Sequence, residues 1–458
     1  MEYDEDRELI EMDRLFDRLF PICRSITGAG LRETLNILSE YVPLEQFGVK
    51  SGTRVFDWVI PQEWVIREAV LKNPFGDTVV NFRDHNLHVL NYSEPIDKVM
   101  SLEELQPHLY SIPEKADAIP YVTSYYKKRW GFSIPHNQRE QLSEGNYHAY
   151  IDSEFIDGEL NYAHATLKGK SMKEILISSY VCHPSLANNE LSGPITAAFL
   201  YQRLNSKPRR FSYRFVFIPE TIGSISYLNK FGDALLENLH AGLVLTCLGG
   251  ENALSYKESR REDSPTDLMW KHLVQYNELE GSTREFTPVN GSDERQYCSP
   301  GFNLPVGQMS RTVYADYDGY HNSLDTKEFM TIEALQQSVN ELEILIEAME
   351  WDGYYLNNTP FGEVKLDKHG LYPDFNAHGK TELFSSNDLN DHRMQLSRIL
   401  MILNYSDGKH TLMEIAIKCE CSIYRLIPIV KVLLNKDIIS GPFDEEQNLF
   451  HRKEDLIK

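Results

Sequence analysis

The sequence predicts an α/β protein: a mixed sheet flanked by helices, a small β-rich domain inserted into that core, and a C-terminal winged helix. Three observations carry this. Between about 119 and 355, apolar strand-like runs alternate with segments of helical spacing. From 51 to 118, short apolar stretches are separated by Pro, Gly and Asp turns. After 391, three helical patterns precede a pair of strand-like segments. With 458 residues, 41% of them hydrophobic, the chain can build more than one well-formed core. The expected domains are a core from 1–50 and 119–355, an insertion over 51–118, a linker over 356–390 and a winged helix over 391–458.

Taken in order, Asp6 to about Tyr41 reads as helical, with apolar positions at Leu9, Leu15, Leu19 and then Leu31, Leu35, Leu38. Arg24-Ser25-Ile26-Thr27-Gly28 interrupts it. An arginine beside a tight turn can bind a substrate carboxylate, although capping and turn chemistry is the commoner use. In the insertion, Val55–Pro61, Thr78–Phe82 and Leu87–Leu90 read as strands. In the core, Ile175 to Cys182 is an apolar run of the kind buried on both faces of a parallel sheet, and it ends at His183. A polar turn then leads through Asn189 and Glu190 into Leu191-Ser192-Gly193 and a helix from Ile195 to Tyr201. Tyr213 to Pro219 is a second such strand; it ends at Glu220, and Gly223 permits a sharp turn. Asn357 to Asp391 is rich in Asn, Gly, Pro and Asp and reads as a linker. The winged helix is read from Gln395–Leu403, Thr411–Cys419 and Ile423–Leu434, then Asp437-Ile438-Ile439 with Phe443 and Phe450.

Charge and composition narrow the function. The formal net charge of −22 opposes binding to nucleic acid or anionic membranes. From Asp391 onward ten basic residues balance ten acidic ones, a poor nucleic-acid footprint. Contact with protein, or docking on its own core, is the expected use of that module. No stretch approaches the roughly 20 apolar residues of a membrane span. The acidic start, Met1-Glu-Tyr-Asp, is unlike a signal peptide. Six cysteines are scattered singly apart from Cys419-Glu-Cys421, whose spacing suits neither a zinc ribbon nor a redox pair. Reduced thiols in a cytoplasm are expected.

Strand ends are where α/β folds place ligands, and His183 and Glu220 both stand at one. A carboxylate at the position of Glu220 can take a proton from a metal-bound water. A third cluster, Tyr320-His321-Asn322-Ser323-Leu324-Asp325-Thr326, puts a histidine beside an aromatic with Asp-Thr following. These blocks, with Gly291-Ser292-Asp293-Glu294-Arg295, resemble the co-catalytic zinc aminopeptidase superfamily, which also includes glutaminyl cyclases. More closely, the chain is similar to an uncharacterised bacterial family of aminopeptidase-like proteins from polysaccharide-biosynthesis loci. The likeness runs from Leu19 through the C-terminal region and implies a zinc-peptidase-like core.

Carried over by position, the resemblance implies metal ligands at His183 and His321 and a general base at Glu220. The bridging aspartate falls on Asn189, the second acid of a Glu-Glu pair on Thr221, and a further aspartate near Cys247. An amide cannot bridge two zinc ions as a carboxylate does, so one zinc per chain is expected. One zinc needs three protein ligands and an open position. Glu190 and Asp293 are the candidates for the third, with Cys247 as a soft-ligand outsider.

The leading expectation is a zinc-dependent amide hydrolase acting on a small peptide, an amino-acid conjugate or an N-acyl group. Tyr320 or Arg295 would steady the oxyanion. Two other readings stand beside it: a zinc-dependent aminoacyl cyclase or transferase, and a non-catalytic scaffold with a degenerate site. A homo-oligomer formed through the inserted or winged-helix domain is also expected.

Overall fold

The computed structural model describes residues 5–372, 383 and 389–447. They form two compact units, one of 1–264 with 281–340 and one of 265–280 with 341–458.

The first unit is built on an eight-stranded mixed sheet. Its order is Glu45–Lys50, Glu159–Leu167, Ser212–Ile218, Glu174–Tyr180, Leu239–Leu245, Val306–Ser310, Leu254–Lys257 and Gly281–Arg284. The four middle strands, from Ser212–Ile218 to Val306–Ser310, run parallel. They are almost wholly buried, which is what their continuous apolar runs require. Because they are parallel, their C-terminal ends open along one edge of the sheet. His183, Glu220, Cys247 and Arg311 therefore emerge on the same side.

Helix Ser192–Asn205 is buried along nearly its whole length. Its first turn lies so close to the sheet that a Cβ on Gly193 would meet the Leu245 carbonyl oxygen and the Ser179 hydroxyl, each at 2.3 Å. The N-terminal helix Glu5–Leu19 packs Met12, Leu15, Phe16 and Leu19 inward. It is tied to helix Ser192–Asn205 by a buried two-point ion pair, Arg203 Nε to Glu8 Oε1 at 2.9 Å and Arg203 Nη2 to Glu8 Oε2 at 2.5 Å.

The β-rich segment extends past 118. Its four-stranded antiparallel sheet runs Thr78–Asn81, Glu63–Lys72, Asn146–Ile156, Ile96–Ser101. Asn146–Ile156, at its centre, lies in the stretch assigned by sequence to the core. Its side chains alternate toward and away from the interior, but its partners lie some 50 to 90 residues upstream, and local pattern carries no record of that pairing. Nor is the insertion a separate core: Leu71 and Ile151 share one hydrophobic cluster with Tyr162, Leu176 and Val244 of the large sheet. Leu87–Leu90 is not a strand either. Asn86–His88 is a 3₁₀ turn, capped by His85 Nδ1 accepting the Leu87 N–H at 3.1 Å.

In the second unit, helices Leu389–Tyr405, Leu412–Lys418 and Ile427–Asn435 accompany a three-stranded antiparallel sheet. The middle strand of that sheet is Tyr354–Asn357, flanked by Asp407–Thr411 and Ile439–Phe443. Sequence reading placed Tyr354 and Tyr355 at the end of the core; four residues are too few to show a period, and the flanking strands are far away in sequence. Phe450, and residues 373–382 and 384–388 of the linker expected over 356–390, lie outside the described residues. Among the described residues no helix is long and apolar enough to cross a membrane.

Two outcomes are expected. Gly193→Ala should destabilise the chain by about 1–3 kcal/mol through overpacking, read as a lower urea midpoint with unchanged m-value. His272 is buried, accepts the Ile423 N–H on Nε2 at 2.9 Å, and is pushed down to about 4 by burial. Its folded pKa lies below the unfolded value near 6.5, so the unfolded chain takes up the proton first. Stability should fall as pH drops from about 6.5 to 4, and His272→Gln should flatten that part of the profile in pH-dependent melts.

Candidate functional site

His183 follows the strand Glu174–Tyr180 and is held on every side. Its Nδ1 lies 2.8 Å from Glu190 Oε2 and 3.5 Å from Cys182 Sγ. Glu190 belongs to a single π-helical turn, Ala187–Leu191, that leads into helix Ser192–Asn205; such turns recur at functional sites. The other oxygen of Glu190 faces Arg24 Nε at 3.5 Å, with both side chains fully buried. Arg24 also donates to the backbone oxygens of His183 (2.9 Å) and Leu19 (2.6 Å). It is thus an internal clamp, closed off from any substrate carboxylate. Burial works against the imidazolium of His183, but Cys182, Tyr121 and the Glu190 hydrogen bond outweigh it and raise the ring's basicity.

Glu220 stands on a strained turn. Thr221 has φ 64 and ψ −73, and the Ile222 N–H donates back to the Glu220 carbonyl at 2.8 Å. This is the rare positive-φ γ-turn, a conformation seldom kept without a reason. Left-handed backbone at non-glycine positions recurs in the neighbouring loops, at Ser185, Cys247, Tyr314 and His321. Glu220 Oε2 lies 3.8 Å from His183 Nε2, and the carboxylate keeps 28% exposure.

The segment Gly291–Arg295 braces that turn. The Ser292 hydroxyl donates to Glu220 Oε1 at 2.8 Å. Asp293 Oδ1 accepts from the Thr221 N–H at 2.7 Å and the Ser224 hydroxyl at 2.8 Å. Glu294 is buried, pairs with the buried Lys257 at 2.8 Å and accepts the Ser292 N–H. Arg295 Nε donates to the Ser292 carbonyl at 3.0 Å.

His321 closes the site from a separate loop. The Tyr121 N–H donates to its carbonyl at 2.8 Å, and Asp325 accepts the backbone N–H groups of Asn188 (2.8 Å) and Asn189 (2.9 Å). The tail of the Tyr320–Thr326 block thus pins the π-turn that carries Glu190. The two imidazoles face each other with centroids 5.7 Å apart. Tyr320 stacks on His321 at 4.0 Å, and Tyr121 sets its edge against both histidines. Burial, and then His183, push His321 down to about 3, so the ring is neutral. Burial raises the Asp325 carboxyl to about 6, against the hydrogen bonds from Asn189, Asn188 and Tyr317.

The structure thus brings His183, Glu190, Glu220, His321 and Tyr320 together. Asp293 is turned into the start of helix Ile222–Asn238 instead, where it accepts from the Thr221 N–H and the Ser224 hydroxyl, and burial and Glu220 push it up to about 8. Cys247 Sγ is engaged by the Thr246 hydroxyl at 3.5 Å and more distantly by Asn189 Nδ2. Among the described residues, Cys182, His183 and Glu190 have ligand atoms within 4.8 Å of one another. The Cys182 thiol is pushed up to about 11 by burial, and Glu190 is spent on Nδ1, the role of a carboxylate that orients a ligating histidine. What remains beside Glu220 is His183 Nε2 and the neutral His321, two of the three protein ligands that one zinc ion needs, with the Glu220 carboxylate free for proton transfer. Ser292, Cys182 and Tyr121 were missed from sequence. Ser292 and Cys182 adjoin residues that were singled out; for Tyr121 no local signal exists.

Glu190→Gln should cost about 3–5 kcal/mol, since it strands the buried Arg24 charge. Combining Glu190→Leu with Arg24→Met should recover most of that loss in urea titrations. Equal losses in single and double variants would show that the pair is not the cause.

Comparison with known proteins agrees with this architecture. The model of a domain of unknown function, DUF4910, matches residues 13–352, and a winged helix-turn-helix model matches 353–441. A protein of Clostridium acetobutylicum, provisionally named a polysaccharide biosynthesis protein with aminopeptidase-like domain, is 40% identical over 416 residues, covering 91% of this chain and 93% of its own. A crystal structure from that organism, provisionally described as a peptidase, superposes with TM-score 0.85 at 38% identity over 95% of this chain and 97% of that one. A zinc aminopeptidase of Bacillus subtilis shares the fold, with TM-score 0.57 at 11% identity over 75% of this chain and 94% of that one. With the likeness covering most of its length, the chain belongs to the DUF4910 family, the aminopeptidase-like proteins that carry a C-terminal winged helix.

Proposed function

We propose that the protein is a zinc-dependent amide hydrolase, acting on an amide carried by a precursor of polysaccharide assembly. The observation that carries this reading is the placement of Glu220 Oε2 3.8 Å from His183 Nε2, on the side of the ring away from Glu190. His183 and His321 would hold the metal, with Glu220 across from them. Bound zinc polarises a carbonyl and lowers the pKa of its water toward about 7.

The chain's own residues supply the rest. Ser292 fixes one oxygen of Glu220, leaving Oε2 to take the proton of the attacking water and pass it to the leaving amine. The Tyr320 phenol, pushed up to about 12 by burial and then by Glu220, stays protonated and can donate to the developing oxyanion. Arg295, anchored on Ser292, supplies positive charge near Tyr320. The ring of Tyr121, Tyr180 and Tyr320 around the histidines also favours a second reading, an aminoacyl cyclase working in a shielded pocket.

One zinc per chain is expected, because Asn189 offers an amide where a bridging carboxylate would stand. Elemental analysis should return one zinc, and His183→Ala or His321→Ala should remove it; two zinc ions per chain would refute this. Glu220→Gln should keep the zinc and lower amide turnover by about 10²–10⁴-fold. Loss of metal from that variant would make Glu220 a ligand.

We infer also that the winged helix is architectural. Ile427, Ile429, Val430, Val432 and Leu433 of its third helix are buried, and Lys431 lies over the Trp351 ring at 4.9 Å. Little of that helix is left to enter a groove. Fluorescence anisotropy with the full chain should show no salt-sensitive, sub-micromolar binding to duplex DNA; such binding would overturn the assignment.

A further inference from the structure

A short hairpin of the β-rich layer, Arg54–Val55 paired with Trp58–Val59, holds its tip at a cost. Phe56 has φ 53 without being glycine, and Arg54 Nε donates to its carbonyl at 3.0 Å. Such backbone costs about 1–3 kcal/mol, yet the ring it displays is 50% exposed and so returns little burial. Strain spent on an exposed aromatic points to a ligand. The ring stands at a cavity of about 410 Å³, within the roughly 300–1,000 Å³ of small-molecule sites.

Phe56 and Trp58 form one wall of the cavity and Phe302 another; Phe56 meets Phe302 edge to face with centroids 5.9 Å apart. Ile225 contributes from helix Ile222–Asn238, which begins two residues after Glu220. Asp57 and Gln296 add polar groups, and Gln296 follows Arg295 directly. Trp58 touches Tyr126, centroids 5.5 Å apart, and burial with the nearby Cys182 and Glu220 raises the Tyr126 phenol. The cavity is therefore lined by the helix that follows Glu220 and by the residue that follows Arg295. Its lining contains no lysine or arginine, so no cationic side chain there would pair with a phosphate.

We propose that this cavity is a subsite for the pyranose ring of an N-acylated amino sugar whose amide lies at Glu220. The proposal deepens the hydrolase reading and rests on it for the reaction, but not for the binding. A pyranose presents a face of C–H groups that packs on aromatic walls and an edge of hydroxyls. Asp57 accepts from such hydroxyls, and the Gln296 amide both donates and accepts. In the reaction, the water oxygen bonds to the acyl carbon, the C–N bond breaks, and the proton held by Glu220 goes to the sugar nitrogen. The products are a carboxylate and a free amino sugar.

The test is saturation-transfer NMR and calorimetry with methyl N-acetyl-glucosaminide, using the full chain with Glu220→Gln and again stripped of metal, so that turnover cannot interfere. Saturable binding is expected in both, with saturation strongest on ring protons. Trp58→Ala and Phe302→Ala should each weaken it about tenfold or more, with circular dichroism unchanged. Asp57→Asn, on the exposed turn, gives a second reading should Trp58→Ala misfold, and should also weaken binding. Absence of saturable binding, binding indifferent to all three variants, or displacement of the sugar by tighter-binding N-acetyl-L-phenylalaninamide would overturn the proposal. Sugar binding by wild-type protein without amide cleavage would leave the subsite standing and remove the hydrolase reading; cleavage of simple amides without sugar binding would do the reverse.

Discussion

The buried carboxylate of Glu190 is the group on which the site depends. A charge without solvent exposure must be satisfied by neighbours, and this one has two, Arg24 on one side and His183 on the other. Meeting that demand draws three distant segments together. Arg24 brings the loop after the N-terminal helix against the His183 backbone. His183 is fixed in rotation and tautomer through Nδ1, which leaves Nε2 directed toward Glu220. The π-turn that supplies Glu190 is held by Asp325, four residues beyond His321. The loop carrying the second histidine and the turn orienting the first are therefore one mechanical unit.

Around this charge the backbone is strained where the parallel strands end. Thr221, Cys247 and His321 all adopt left-handed conformations without being glycine. Each is over-determined by packing or hydrogen bonds. The turn at Thr221 is held by Asp293, whose loop is in turn anchored by the buried Lys257–Glu294 pair. Rigid support of this kind keeps a carboxylate within a narrow range of positions, which proton transfer requires. The β-rich segment adds a second strained element, the hairpin tip at Phe56, which shares a cavity with Ile225 and Leu228 of helix Ile222–Asn238.

The second unit carries a winged helix. A winged helix is usually read by its third helix, and here that helix is packed through most of its apolar residues, with the Ile423 N–H just before it donating to His272. Its central strand comes from Tyr354–Asn357, ahead of all three helices, so the module is closed by chain that sequence reading counted with the core.

By itself the sequence determined the alternation of buried strands and helices and the places where His183 and Glu220 end them, because burial on both faces writes a continuous apolar run into the chain. It also marked His321 and the Gly291–Arg295 block, through their resemblance to the zinc aminopeptidase superfamily. Tertiary structure alone decided the roles within those blocks. Glu190 and Asp293 are equivalent acids in sequence, yet one meets an imidazole and a guanidinium while the other meets the first turn of a helix. Arg24 could be an exposed anion binder or an internal clamp until His183, far along the chain, closes over it. The extent of the β-rich layer was likewise settled by pairing between strands many residues apart. Such contacts carry no local periodicity; they are set by which partner a charge or strand edge finds once the sheet has formed.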